Sequence, residues 1–133
     1  MKTKEIPAKY VDLLQGANFA HLATIMPDGT PQVTPVWFKF DGQSFWFNTA
    51  KGRQKDKNLK ANPNVAASII DPKNGYRYLE IRGKVIHHTE EGADALIDEL
   101  AKKYMGVDSY PYRSPSEVRV SYQIEITHTS AMG

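Results

Sequence analysis

The chain has no cysteine. That excludes disulfides, a thiolate nucleophile, iron–sulfur ligation and cysteine-type zinc sites together, and it suits a reducing compartment. It also lacks a charge excess: 17 Lys and Arg stand against 15 Asp and Glu, a formal charge of +2. A nucleic-acid surface needs a basic excess, so a β-barrel of the oligonucleotide-binding kind is disfavoured and any anion site must be local. No apolar run is long enough to cross a bilayer. Residues 1–7 are polar, with Lys2, Lys4 and Glu5 and no apolar stretch behind them. The expectation is a cytoplasmic protein with no membrane partner. Catalytic signatures are missing as well. There is no Gly-x-Ser-x-Gly, no Walker loop and no Gly-x-Gly-x-x-Gly, so hydrolases, phosphoryl-transfer enzymes and dinucleotide-fold dehydrogenases lack support. His87 and His88 are strand neighbours that point to opposite faces and cannot chelate one ion. His21 and His128 have no paired ligand spacing either, so no metal is expected.

What is present reads as one domain over residues 1–133, mainly β with flanking helices. Residues 8–14 form an amphipathic start with Val11 and Leu14 on one side, stopped by Gly16. A strand over 19–25, the turn Pro27-Asp28-Gly29, a strand over 32–40, the turn Asp41-Gly42 and a strand over 44–48 make a β-meander. A basic segment over 52–62 has helical composition and stops before Pro63. Residues 65–70 are a compact apolar strand and 71–75 a loop. A long strand follows over 76–87, with Gly83 marking a bend or bulge. A helix starting at Thr89 runs to about Tyr104, with Ala93, Leu96, Ile97 and Leu100 as its apolar stripe. Residues 105–117 are irregular. The last strand, 118–126, alternates Val118, Val120, Tyr122, Ile124 and Ile126 inward. Six strands with helices at the edges imply an antiparallel barrel.

The basic segment is the most informative. At about 100° per residue, Arg53, Lys57 and Lys60 share one stripe. Lys55 falls beside Asn58, Leu59 and Asn62, and Leu59 is the segment's one large apolar residue. The side bearing Leu59 should face the protein, which turns Lys55 inward, where an ammonium needs an anion or strong acceptors. A helix N-terminus after Thr49 and Gly52 is also a natural phosphate seat. Two readings stand side by side: a solvated basic helix, or a phosphate site with Lys55 as point charge, Arg53 as planar fork and Asn48 or Thr49 as neutral donors. Pro35, in mid-strand with Trp37 on its face, removes a ladder donor and leaves backbone free to lie along a flat heteroaromatic ring. Tyr76, Tyr78, Glu80 and Arg82 share one strand face, which is solvated or belongs to a site or an interface.

Several segments then form a pattern. Ala23-Thr24-Ile25 with residues 28–37 (Asp-Gly-Thr-Pro-Gln-Val-Thr-Pro-Val-Trp), residues 53–59 (Arg-Gln-Lys-Asp-Lys-Asn-Leu) with Asn62-Pro63, and residues 76–83 (Tyr-Arg-Tyr-Leu-Glu-Ile-Arg-Gly) resemble the pyridoxamine-phosphate-oxidase-like split-barrel flavin and deazaflavin oxidoreductases. Lys102-Lys103-Tyr104 and Tyr110-Pro111-Tyr112 resemble that group's coenzyme F420 branch. The resemblance implies a six-stranded antiparallel split β-barrel and a homodimer with two cofactor sites at the subunit interface. It places the cofactor phosphate near Arg53, Lys55 and Lys57, and the ring against Pro35, Val36 and Trp37. Asn48 and Thr49 fall at the ribityl chain or phosphate, and Tyr78 near the cofactor, reaching across the interface. Pyridoxamine-phosphate oxidases carry a further substrate-binding tail not seen in this sequence, so vitamin B6 oxidation is not expected. The implied activity is hydride transfer between F420, or alternatively FMN, and a small conjugated substrate. A non-catalytic carrier or sensor of the same cofactor is the alternative. No catalytic residue is assigned; Tyr78, Tyr112 or a water are the proton donors considered.

Overall fold

A computed structural model describes residues 5–133. The polar start at residues 1–4 lies outside the described residues. A 3-10 turn, Ala8–Tyr10, runs into helix α1, Val11–Gln15; its buried residues are Tyr10, Leu13 and Leu14 rather than Val11. Then follow β1 (Ala20–Ile25), β2 (Pro31–Val36), β3 (Lys39–Phe40), β4 (Ser44–Ala50), α2 (Gln54–Ala61), β5 (Asn64–Asp71), β6 (Asn74–Thr89), α3 (Ala93–Met105) and β7 (Arg119–Met132). The strands form one antiparallel sheet in the order β2-β1-β5-β6-β7-β4-β3.

Seven strands are present among the described residues where six were expected. The expected strand over 32–40 divides at Trp37 and Phe38, and its halves lie on opposite edges of the sheet. The reason is local. Pro35 has no N–H to donate. The Phe38 N–H donates to the Tyr104 hydroxyl (3.2 Å), and the Phe38 carbonyl accepts from Lys103 Nζ (3.2 Å). The backbone at this crossing is thus bonded to side chains of α3 instead of to a strand. Phe38 itself is fully buried and stacks on Phe45 with ring centroids 4.8 Å apart. Carrying the chain from one sheet edge to the other across this crossing makes the sheet a split barrel.

The core lies inside that wrap, where Leu22, Phe38, Phe45, Phe47, Ile69, Leu79, Ile81, Tyr122 and Ile124 are all within 2% of complete burial. Gly83 sits at a register shift between β6 and β7, as its place inside a long strand implied. A Cβ there would stand 2.1 Å from the Glu125 carbonyl oxygen, so the strands approach too closely for any side chain. β7 begins one residue later than expected and runs six further. Val118, expected inward, is 43% exposed, and its carbonyl instead accepts from the Lys51 N–H at 2.7 Å. Beyond Ile126 the inward positions are the small residues Thr129 and Ala131. Helix α3 starts at Ala93, because Gly92 adopts a positive φ of 76° and ends the preceding turn. Of its expected stripe, Ala93, Ile97 and Leu100 are buried and Leu96 is half-buried. No helix among the described residues is long and apolar enough to cross a membrane.

Candidate functional site

Where the chain leaves β2 for β3, a cavity of about 310 Å³ opens. The end of β2 and the crossing supply Pro35, Val36 and Trp37, and the end of β4 supplies Asn48 and Thr49. Arg53 and Lys55 come from the start of α2, Ile97 and Leu100 from α3, Tyr110 and Tyr112 from the irregular segment, and Arg119 from the first position of β7; Phe19 completes the wall. The size lies at the lower end of the range for small-ligand sites. Among the described residues, three cations line it and no carboxylate does. A larger recess of about 770 Å³ beside α1 and β4 contains none of the expected site residues and, among the described residues, no cation.

Helix α2 owes its position to two buried polar residues. Gly52 takes a φ of 89°, which turns the chain into Arg53 at the N-cap. Asp56 then reaches back to accept from the Gly52 N–H (2.8 Å), and also from the Tyr122 hydroxyl and Lys60 Nζ (3.2 Å). Burial pushes the Asp56 carboxyl up, but these donors outweigh it and hold it below the ordinary carboxylate value. Asn58, also buried, donates Nδ2 to Thr24 Oγ1 at 3.0 Å and ties the helix to β1. With these two residues and Leu59 facing the barrel, Lys55 is half-buried at the cavity wall and has no ion-pair partner among the described residues. Burial lowers its pKa, and the neighbouring Arg53 charge lowers it further. The exposed stripe is largely neutralised within the chain. Arg53 pairs with Glu117 (2.8 Å) and Lys60 with Asp56 (3.2 Å), while Lys57 is solvent-exposed.

Arg119 is the charged member of the site that the sequence reading missed. It is 6% exposed, a charge inside a strand. Its Nε donates to Asn48 Oδ1 (2.7 Å), its Nη1 to Glu117 Oε1 (2.7 Å), and its guanidinium lies 5.3 Å from the centre of the Tyr110 ring. Asn48 points its NH₂ away from a ligand, to the Ala93 carbonyl (2.8 Å) and Ser121 Oγ (3.3 Å). It orients Arg119 and docks the start of α3. Trp37 stacks on Tyr104 at 5.3 Å and meets Tyr110 edge-on at 6.3 Å, and Tyr110 meets Tyr112 at 5.7 Å. Burial pushes the Tyr104 hydroxyl up to about 12, so it stays a neutral phenol that donates to the Asn18 carbonyl at 2.6 Å.

The structure therefore brings Pro35, Val36, Trp37, Asn48, Thr49, Arg53 and Lys55 to one cavity. Lys57 and Tyr78 are not part of its lining. Tyr78 sits on the outer face of the sheet, in register with Ile70 and Met132. Arg119 was signalled only by being a charged residue at the mouth of an apolar alternation. Tyr110 and Tyr112 carried no periodicity by which to place them.

Comparison with known proteins bears on the family and the fold. A family model described as pyridoxamine 5'-phosphate oxidase matches residues 6–133. A pyridoxine/pyridoxamine 5'-phosphate oxidase of Rhodopseudomonas palustris (strain TIE-1) is 34% identical over 116 residues, covering 86% of this chain and 54% of that protein. The chain thus spans about half the length of the curated relatives it matches. A solved structure of an F420 reductase superposes with a TM-score of 0.84 at 41% identity, covering 94% of this chain and 98% of that one. A conserved protein from Mycobacterium tuberculosis superposes with a TM-score of 0.74 at 26% identity, over 96% and 84% of the two chains. The split barrel, its match along nearly the whole described sequence and the identities to these relatives show that the chain belongs to the pyridoxamine 5'-phosphate oxidase-like family.

Proposed function

We propose that the protein is an oxidoreductase that binds F420, or alternatively FMN, and exchanges hydride with a small conjugated substrate. The observation that carries this reading is the acid-free, tricationic cavity beside a Pro-Val-Trp backbone. Family membership and the 41% identity to an F420 reductase support a flavin-type cofactor, and the latter favours F420. The residues fit such a group. Lys55, half-buried without a counter-ion, supplies the charge a phosphate requires, with Arg53 and Arg119 as planar donors. Pro35 offers a flat backbone with no N–H, and Trp37, Tyr110 and Tyr112 supply aromatic walls.

When bound, the cofactor supplies the redox chemistry. The chain's own residues position and enclose it. Lys55 and the arginines fix the phosphate end, the β2 backbone orients the ring edge, and Ile97 and Leu100 keep one wall dry. Tyr112, 67% exposed at the cavity mouth, carries a hydroxyl placed to deliver a proton to product.

The same reading includes a homodimer. The inner face of β1, β5 and β6 is core, but the outer face is uncovered. In register across it lie Val33, Ala23, Ala66 and Arg82, then Pro35, His21, Ser68 and Glu80, then Ile70, Tyr78 and Met132. Val33 is 62% exposed, and Arg82 keeps Nε and one terminal NH₂ shielded from solvent without a hydrogen bond among the described residues, Glu80 Oε1 standing 3.9 Å from Nε. A second copy on this face would cover the apolar residues. Because Pro35 belongs both to this face and to the cavity, the copy would also bring its own Tyr78 towards a cofactor. The test is an absorption titration of the purified protein with FMN and, separately, F420, followed by mixing the reduced complex with quinone and nitroaromatic acceptors. Chromophore binding with acceptor reduction is expected. Binding without turnover would make the protein a carrier, and no binding would end the reading.

A further inference from the structure

We propose that Glu117 is an internal counter-anion that competes with the ligand's phosphate for Arg53 and so keeps cofactor binding weak enough to reverse. This rests on the phosphate-binding reading of the cavity. Glu117 is the one carboxylate among the described residues that pairs with any of the three cavity cations. Its two oxygens are divided, Oε2 taking Arg53 Nη2 at 2.8 Å and Oε1 taking Arg119 Nη1 at 2.7 Å. The carboxylate itself does not line the cavity. Its side chain is only 13% exposed, which strengthens its field on both guanidiniums.

The two arginines depend on it unequally. Arg119 is held independently by Asn48 Oδ1 and lies over the Tyr110 ring, and its side chain is 5% exposed. Arg53 has no other side-chain partner among the described residues and is 58% exposed, so its guanidinium can leave Glu117 and turn to an incoming anion. Two effects oppose each other when the carboxylate is removed. Fixing Arg53 in place is an exposed-pair contribution, worth a few-fold at most. Removing a negative charge that screens a tricationic cavity favours a dianion by on the order of tenfold at low salt. The charge effect wins, so Glu117 weakens binding more than it organises it.

The experiment measures dissociation constants of FMN, F420 and inorganic pyrophosphate for the wild type, Glu117→Gln and Glu117→Asp by calorimetry across a salt series, with Tm as folding control. Glu117→Gln keeps the shape and one acceptor while removing the charge. It is expected to bind all phosphate-bearing probes roughly tenfold tighter than wild type at low salt, with a steeper salt dependence and slower cofactor release. Glu117→Asp, which keeps the charge, should stay near wild type. Equal or weaker binding by Glu117→Gln with unchanged Tm would overturn the competition and make Glu117 only a positioning residue for Arg53. If Glu117→Gln is destabilised, the salt slopes of wild type and Glu117→Asp decide, since a competing charge makes them equal and a steric clamp does not. A wild type that binds none of the probes would overturn the cavity reading itself, and this inference with it.

Discussion

Gly83 and Asp56 show how single positions hold this architecture. At Gly83 the obstacle to a side chain is the Glu125 carbonyl, part of the neighbouring strand's backbone, which cannot swing aside. Gly83→Ala should therefore destabilise by about 2–3 kcal/mol, with a fall in Tm of roughly 10 °C by thermal melt. Asp56 acts through charge. Its folded carboxyl is held below 3.8, so its stabilising contribution is complete above that value and is lost as pH falls through the folded pKa. An acid titration of Tm should show wild type losing stability below about pH 4 while Asp56→Asn, already weaker at neutral pH, follows a flatter curve. A parallel pH profile for the two proteins would remove Asp56 from that role.

At the scale of elements, the crossing at Trp37 and Phe38 is what the periodicity of the sequence could not show. Residues 32–40 alternate well enough for one strand, yet Pro35 lacks a donor, and the Phe38 backbone is better satisfied by Tyr104 and Lys103. The competing partners come from 65 or more residues away, beyond the reach of local pattern. β7 was cut short for a related reason. Thr129 faces inward, 2% exposed, and donates to the Glu5 carbonyl at 3.1 Å, and small polar residues do not announce burial. By contrast, β5, the α3 stripe and the Gly83 irregularity were legible, because each is written in apolar spacing or in a glycine that only one geometry requires. In the site, helical geometry alone turned Lys55 toward the protein, whereas Arg119 depends on a tertiary bond to Asn48. Phe38→Ala should test the crossing. A loss of about 3–5 kcal/mol in chemical denaturation is expected from emptying the space against Phe45, with poorer cofactor binding because Trp37 moves with it.

For the whole molecule, the sheet has one filled face and one open face, and the cavity lies at the border of the two. Light scattering should return twice the chain mass of 15.0 kDa. Ile70→Lys, placing a charge on the open face beside Tyr78 and Met132, should shift the protein toward monomer and weaken cofactor binding without altering the α2 segment. A monomeric wild type that still bound cofactor fully would separate the site from the dimer. The proposed cofactor site depends above all on the inward ammonium of α2. The most direct measurement is equilibrium titration of wild type and Lys55→Met with FMN and with F420, Tm being checked in parallel. The expected result is binding of at least one chromophore by wild type and a loss of roughly tenfold to a hundredfold in the variant, the worth of one charge-assisted phosphate contact. Equal affinities in a folded variant would contradict it.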